Sequence, residues 1–240
     1  WCNYHLKVPQ KGNSGAMRGT LCHLIFELLL KKRHLRHYKK IIKYNDIEGS
    51  PGVLRLVIKH LKKYEILNDG ESYDLCNKMI LVGLKNDFFG EGGKIQEPEL
   101  KFVLENDDPE YKIMGYIDKP IKYTKEGKVK IVDYKSSKRK FKGEELDSNI
   151  QAMAYTLASK KKLWPKVKDV IVEFLFLRFP RTPAQQIKVT EDQLKGFEYY
   201  LEHIYKIINS FTEKQAQTNF AADGKDSWLC KAGKTWQCPY

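Results

Sequence analysis

No part of the chain resembles a membrane span. Its longest apolar run, Leu24 to Leu30, is interrupted by Glu27 and followed by Lys31-Lys32-Arg33, whereas a spanning helix needs ~18 to 20 apolar residues. The start of the chain lacks the charged, apolar and small-residue regions of a signal peptide. Cysteine is scarce. The five thiols, Cys2, Cys22, Cys76, Cys230 and Cys238, are odd in number, which argues against a disulfide scaffold. No segment repeats. These absences predict a soluble, intracellular protein. Trp1 in place of Met and the Cys238-Pro239-Tyr240 end read as a fragment of a longer chain.

Negative charge is also in short supply. Lys and Arg number 43 against 30 Asp and Glu, a net charge of +13, so a polyanionic partner comes first to mind. The charge is clustered: Lys31, Lys32, Arg33, Arg36, Lys39, Lys40 and Lys43; then Lys135, Lys138, Arg139, Lys140 and Lys142; then Lys160, Lys161, Lys162, Lys166 and Lys168. Any one such cluster reads equally as a solvated helix face. Three of them, one overlapping the acidic motif described below, favour nucleic acid.

What is present in quantity is apolar residues, 42% of 240, enough for one well-buried core. Leu21, Leu24, Ile25, Leu28 and Leu29 recur at helical spacing within a helix expected over 16–44. Ser50-Pro51 opens a second helix, with Pro where its missing N–H is harmless. Ser72 or Asp74 caps a third, ending at Gly90-Glu91-Gly92-Gly93. Three strands are expected next, over 94–105, 111–123 and 128–136. A helix at 144–162, strands at 170–178 and 184–189, and a helix from Glu191 capped by Thr190 complete the pattern. The order predicts a single α/β domain with a central mixed sheet flanked by helices. It divides into an N-terminal helical portion (1–93), a core (94–220) and an irregular tail (221–240).

Asp118 and Asp133 lie equally far from the turn midpoint between Lys125 and Glu126. In a symmetric hairpin they face each other, with Cβ atoms roughly 4.5 to 5.5 Å apart. Lys135, two residues beyond Asp133, shares that face; a bulge at Gly127 would shift the register. Two opposed carboxylates repel unless a cation lies between them. Carboxylate oxygens suit Mg²⁺ or Mn²⁺, and a lysine beside the metal suits phosphodiester hydrolysis. Asp118, Asp133 and Lys135 are therefore the catalytic candidates. The bland alternative is an ordinary solvent-facing hairpin.

The series Gly115-Tyr116-Ile117-Asp118, Ile131-Val132-Asp133-Tyr134-Lys135 and Gln151-Ala152-Met153-Ala154-Tyr155, preceded by Gly19-Thr20-Leu21-Cys22-His23, resembles the PD-(D/E)XK nucleases. The likeness is to their RecB-like subgroup of CRISPR-associated, phage and mitochondrial exonucleases. It implies a restriction-endonuclease-like core and metal ligation by His23, Asp118, Asp133 and the Tyr134 backbone carbonyl, with Lys135 as the catalytic lysine. Gln151 and Tyr155, four apart on one helix face, would approach the DNA together with Lys138 and Arg139. Glu97 and Glu99 are further metal candidates, and Glu27 reads equally as an exposed or a supporting carboxylate. Some members of the subgroup hold a 4Fe–4S cluster on four cysteines; Cys2, Cys230 and Cys238 match three of them, and Cys22 and Cys76 read as buried small hydrophobes.

The resemblance implies Mg²⁺- or Mn²⁺-dependent cleavage of DNA, single-stranded or with free ends, as in repair and recombination. The competing readings are a DNA-binding module with a lapsed site and the nuclease subunit of a larger recombination or CRISPR adaptation complex.

Overall fold

The structure, a computed structural model, describes residues 13–67, 71–212 and 214. Helical periodicity shapes its N-terminal part. Helix α1 (Ser14–Leu30) starts at Asn13, whose side chain accepts a bond from Ala16 N at 2.8 Å. A single helix was expected to run on to Tyr44. Instead Lys31 is extended and α2 (Leu35–Tyr44) follows a 3-10 turn. The break falls where the apolar stripe ends and the basic run begins. Helix α3 (Pro51–Lys63) is capped by Ser50, and α4 (Ser72–Lys85) packs on α1. Gly83 makes that approach possible, because a Cβ there would lie 2.3 Å from the Phe26 ring.

A five-stranded sheet is formed by β1 (Lys94–Ile95), β4 (Lys119–Tyr123), β5 (Lys128–Lys135), β6 (Asp169–Phe176) and β7 (Ala184–Ile187), adjacent in that order. Strands β2 (Leu100–Asp107) and β3 (Glu110–Ile117) pair with each other as a separate antiparallel ribbon. Two of the expected strands are therefore each broken, one between Ile95 and Leu100 and one at Asp118, where the chain passes from sheet to ribbon. The breaks are tied together: Glu99 takes the left-handed φ of 54°, and its N–H donates to the Asp118 carbonyl at 3.0 Å.

Strands β5 and β6 run parallel, and their crossover carries α5 (Glu144–Asp147) and α6 (Ile150–Ala158). The one helix expected there is split because the Asn149 side chain caps α6 at Ala152 N. Helix α7 (Glu191–Ser210) opens with a Thr190–Gln193 capping box. Strand β5 is buried on both faces, as a central strand should be. Val132 and Tyr134 join the core of α1 to α4, and Val129 and Ile131 join the core beneath α6. Burying each such side chain stabilises by about 1.5–3 kcal/mol. The inner face of the ribbon packs Leu104 and Tyr111 against Leu194 and Phe197 of α7. The result is the expected mixed sheet flanked by helices. Among the described residues no helix is long and apolar enough to cross a membrane.

Candidate active site

The β4–β5 hairpin keeps the symmetric register, from Tyr123 opposite Lys128 to Lys119 opposite Val132. Gly127 adopts φ 61° within the turn, but no bulge displaces the ladder. One step further along the same register, Asp118 stands opposite Asp133, and its Oδ2 accepts from Tyr134 N at 2.8 Å. Strand alternation puts Asp133 and Lys135 on the face covered by α6, and Tyr134 on the opposite face against Phe26, with ring centroids 4.3 Å apart.

Asp133 is only 2% exposed. Its Oδ2 accepts from Gln151 Nε2 (2.7 Å) and the Tyr155 hydroxyl (2.9 Å). Gln151 and Tyr155 are also bonded to each other at 2.6 Å, so one face of α6 fixes this carboxylate. Lys135 Nζ lies 2.6 Å from Asp133 Oδ1 and donates to Gln151 Oε1 at 2.6 Å. Apart from that ion pair, Oδ1 is buried with no hydrogen-bond donor. Burial first, then the Asp118 charge, pushes the Asp133 carboxyl up to about 6 against the pull of Lys135. The same burial and the carboxylates of Asp133 and Asp118 raise the Tyr155 phenol, which keeps it a hydrogen-bond donor.

On the other side of Asp118, α1 delivers His23. Gly19, one turn earlier, allows α1 to come close to the end of β5, since a Cβ there would sit 2.7 Å from Ser136 Oγ. His23 Nδ1 lies 3.4 Å from Asp118 Oδ2 and 3.6 Å from Glu99 Oε1, and Nε2 is 2.9 Å from the Tyr134 carbonyl. Burial lowers the imidazole pKa, but hydrogen bonds to Asp118 and Glu99 outweigh it and carry the group up to about 10. Ligand atoms of His23, Glu99 and Asp118 all lie within 4.8 Å of one another. His23 and Glu99 border a cleft of about 530 Å³ lined also by Gly19, Thr20 and Glu27. Two carboxylates and one imidazole within this reach form a donor set that fits a divalent cation.

The sequence motifs thus converge, with one shift of emphasis. Glu99 stands beside His23 and Asp118, whereas the Asp133 carboxylate is turned to Lys135, Gln151 and Tyr155. Glu97 is exposed and outside this cluster, and Glu27 pairs with Lys31 at 2.6 Å. The Tyr134 carbonyl is in contact with His23 Nε2 at 2.9 Å, and its second lone pair could still join a cation. Glu99 carries no local sequence signal beyond being an acid near a strand start. Lys119 was not singled out. Fully buried, it donates to the carbonyls of Asp87 and Phe88 at 3.1 and 3.4 Å, and burial lowers it to about 8; it faces α1 and α4, away from Asp133.

The basic clusters fare unevenly. Lys160 and Lys161 pair with Glu191 and Glu198, and Lys162 donates to the Val103 carbonyl. Arg139 pairs with Glu145 at 3.0 Å, and Lys138 is exposed. Lys32, Arg33, Arg36, Lys39, Lys40 and Lys43 remain on the surface. Cys22 and Cys76 are buried and form no disulfide; a hydrogen bond between the two thiols, then burial, raises the Cys22 pKa. Cys2, Cys230 and Cys238 lie outside the described residues.

A family model described as the PD-(D/E)XK nuclease superfamily matches residues 1–240. Comparisons with curated proteins and with solved structures return no match.

Proposed function

The chain belongs to the PD-(D/E)XK nuclease superfamily, and on that premise we propose that it is a Mg²⁺- or Mn²⁺-dependent deoxyribonuclease of the RecB-like kind. It acts inside the cell as an exonuclease on single-stranded DNA or DNA ends. The observation that carries this reading is the hairpin, which holds Asp118 opposite Asp133 with Lys135 alongside. Asp133-Tyr134-Lys135 fits the D-x-K half of the motif; Ile117 rather than Pro precedes Asp118.

In this reading His23, Glu99 and Asp118 would hold the cation, and Asp133 would join them by exchanging its Lys135 partner for the metal. When bound, the cation supplies Lewis-acid polarisation of the scissile phosphate and makes an attacking water more acidic. Gln151 and Tyr155 keep Asp133 in one orientation, so that little reorganisation is needed during the reaction. Lys135 Nζ, anchored between Asp133 and Gln151, orients the attacking water and offsets charge developing on the phosphate. The surface cations of α2, with Lys138 and Arg139, contact the DNA backbone, which makes binding weaken steeply with salt. A lapsed site would lack an acid or the lysine, and none is missing.

The test is cleavage of end-labelled single- and double-stranded DNA in Mg²⁺ or Mn²⁺. Cleavage by the wild type should stop in chelator, and Asp133→Ala or Lys135→Ala should slow it by at least ~100-fold. Cleavage that survives both substitutions rejects this site.

A further inference from the structure

We propose that the outer face of the β2–β3 ribbon is a stacking platform for one or two unpaired bases next to the scissile phosphate, with Tyr116 as its principal contact. The proposal rests on the nuclease reading above and assigns that site a preference for single-stranded substrate.

The ribbon has two unlike faces. On the inner one, Phe102, Leu104 and Tyr111 are buried. Phe102 lies over Gly115, where a Cβ would come within 2.6 Å of its ring, and meets Tyr155 edge-on at 6.3 Å. These contacts leave the other set of residues to face solvent. Its cross-strand pairs are Lys101 with Tyr116, Val103 with Met114, Glu105 with Lys112, and Asp107 with Glu110. Tyr116 is 48% and Met114 62% exposed. Tyr116 and Met114 thus form an exposed aromatic and thioether pair on one solvent-facing sheet surface.

Position and charge identify the occupant. Lys101 is two residues from Glu99, and Tyr116 two residues from Asp118, so each Cα of this pair lies within about 7 Å of that of a member of the candidate metal cluster. Nucleic acid with a phosphate at that cluster therefore has its neighbouring base within reach of the tyrosine ring. Lys101 adds a cation beside that ring. Farther out, Lys112 is neutralised by Glu105 at 2.5 Å, and the tip carries Asp107, Asp108 and Glu110. A polyanion is welcome near the cluster and repelled at the tip, so the platform serves the first one or two bases only. Bases paired in a duplex have their faces covered, so the platform serves unpaired bases.

The experiment is a cycle between protein and substrate. Binding of a labelled single-stranded oligonucleotide is measured by fluorescence anisotropy in Ca²⁺, for the wild type, Tyr116→Ala and Tyr116→Phe. Each is tested against oligonucleotides bearing one abasic site at successive positions. Tyr116→Ala should weaken binding roughly 5- to 150-fold, and Tyr116→Phe should bind like the wild type. One abasic position should reproduce the loss in the wild type and add nothing in Tyr116→Ala. Equal abasic losses in both proteins would overturn the proposal. So would a change in sedimentation without a change in binding, which would make the face a contact between copies of the chain. If the wild type cleaves nothing while the cycle is non-additive, the platform stands and the nuclease reading falls. If cleavage requires Asp133 and Lys135 but the cycle is additive, the platform falls alone.

Discussion

Replacing Asp133 by Asn should stabilise the metal-free protein. In the unfolded chain this carboxyl ionises near 3.8, whereas in the folded state burial and Asp118 push it up to about 6. Between those values the folded protein holds a proton that the unfolded chain has released, so stability falls as pH rises through this window and levels off above it. The rise corresponds to a deficit of roughly 3 kcal/mol at pH 7.5 and about half as much at pH 5. Asn carries the neutral form at every pH and still offers an oxygen to Gln151 and Tyr155. Urea unfolding in chelator should show Asp133→Asn more stable than wild type, by an amount that roughly doubles between pH 5 and pH 7.5. Saturating Mn²⁺ should narrow the gap, because only the wild type gains the full linkage free energy, about 2.7 kcal/mol at a hundredfold excess over Kd. The opposite result is an Asp133→Asn protein less stable than wild type at pH 7.5. It would make Asp133 an anion adequately paired without metal.

His23 predicts a slope of the same sign in a higher pH window, but from a group that stabilises the fold while protonated. With its imidazole raised from 6.5 to about 10, its contribution to stability is complete below pH 6.5 and is lost as pH rises towards 10, so His23→Gln should flatten the metal-free stability curve over that range. Because the ring must lose its proton to ligate, Mn²⁺ binding at pH 7.5 should release about one proton per site, read by calorimetry in buffers of different ionisation enthalpy. Release of none would separate His23 from the metal. Gly83→Ala forces a methyl into the Phe26 ring that packs on Tyr134; it should cost about 1–3 kcal/mol in denaturant unfolding, and an unchanged midpoint would show that α1 and α4 yield freely. Gln151→Ala removes a donor from Asp133 and the acceptor of Lys135. It should lower kcat roughly tenfold or more while leaving the metal Kd within about threefold, and a loss confined to metal affinity would contradict its role as a positioning residue.

The hairpin was legible because its two acids are equidistant from a turn of even length, and the Gly127 conformation is absorbed within that turn. Caps such as Ser50 and Thr190 were legible for a similar reason, since the signal is local. The breaks at Glu99 and Asp118 were not. The residues from Tyr111 to Tyr123 have unbroken strand character, and what interrupts them is the divergence of sheet and ribbon, a tertiary event. Glu99 occupies a left-handed backbone position that sequence would assign to glycine or asparagine, so nothing local marks it. The meeting of Glu99 with His23 depends on how α1 docks, which Gly19 and Ser136 decide together. Asn149 failed for another reason: an interior helix position and a cap look alike until the preceding turn is known.

The central claim is that one divalent cation is shared by this side-chain cluster and a DNA phosphate. Pulsed electron paramagnetic resonance of Mn²⁺ bound to the protein tests both halves together. A ¹⁴N coupling from His23 should be present in the wild type and absent in His23→Gln, and a ³¹P coupling should appear when single-stranded DNA is added. Manganese that shows neither the imidazole nitrogen nor the phosphorus would contradict the account.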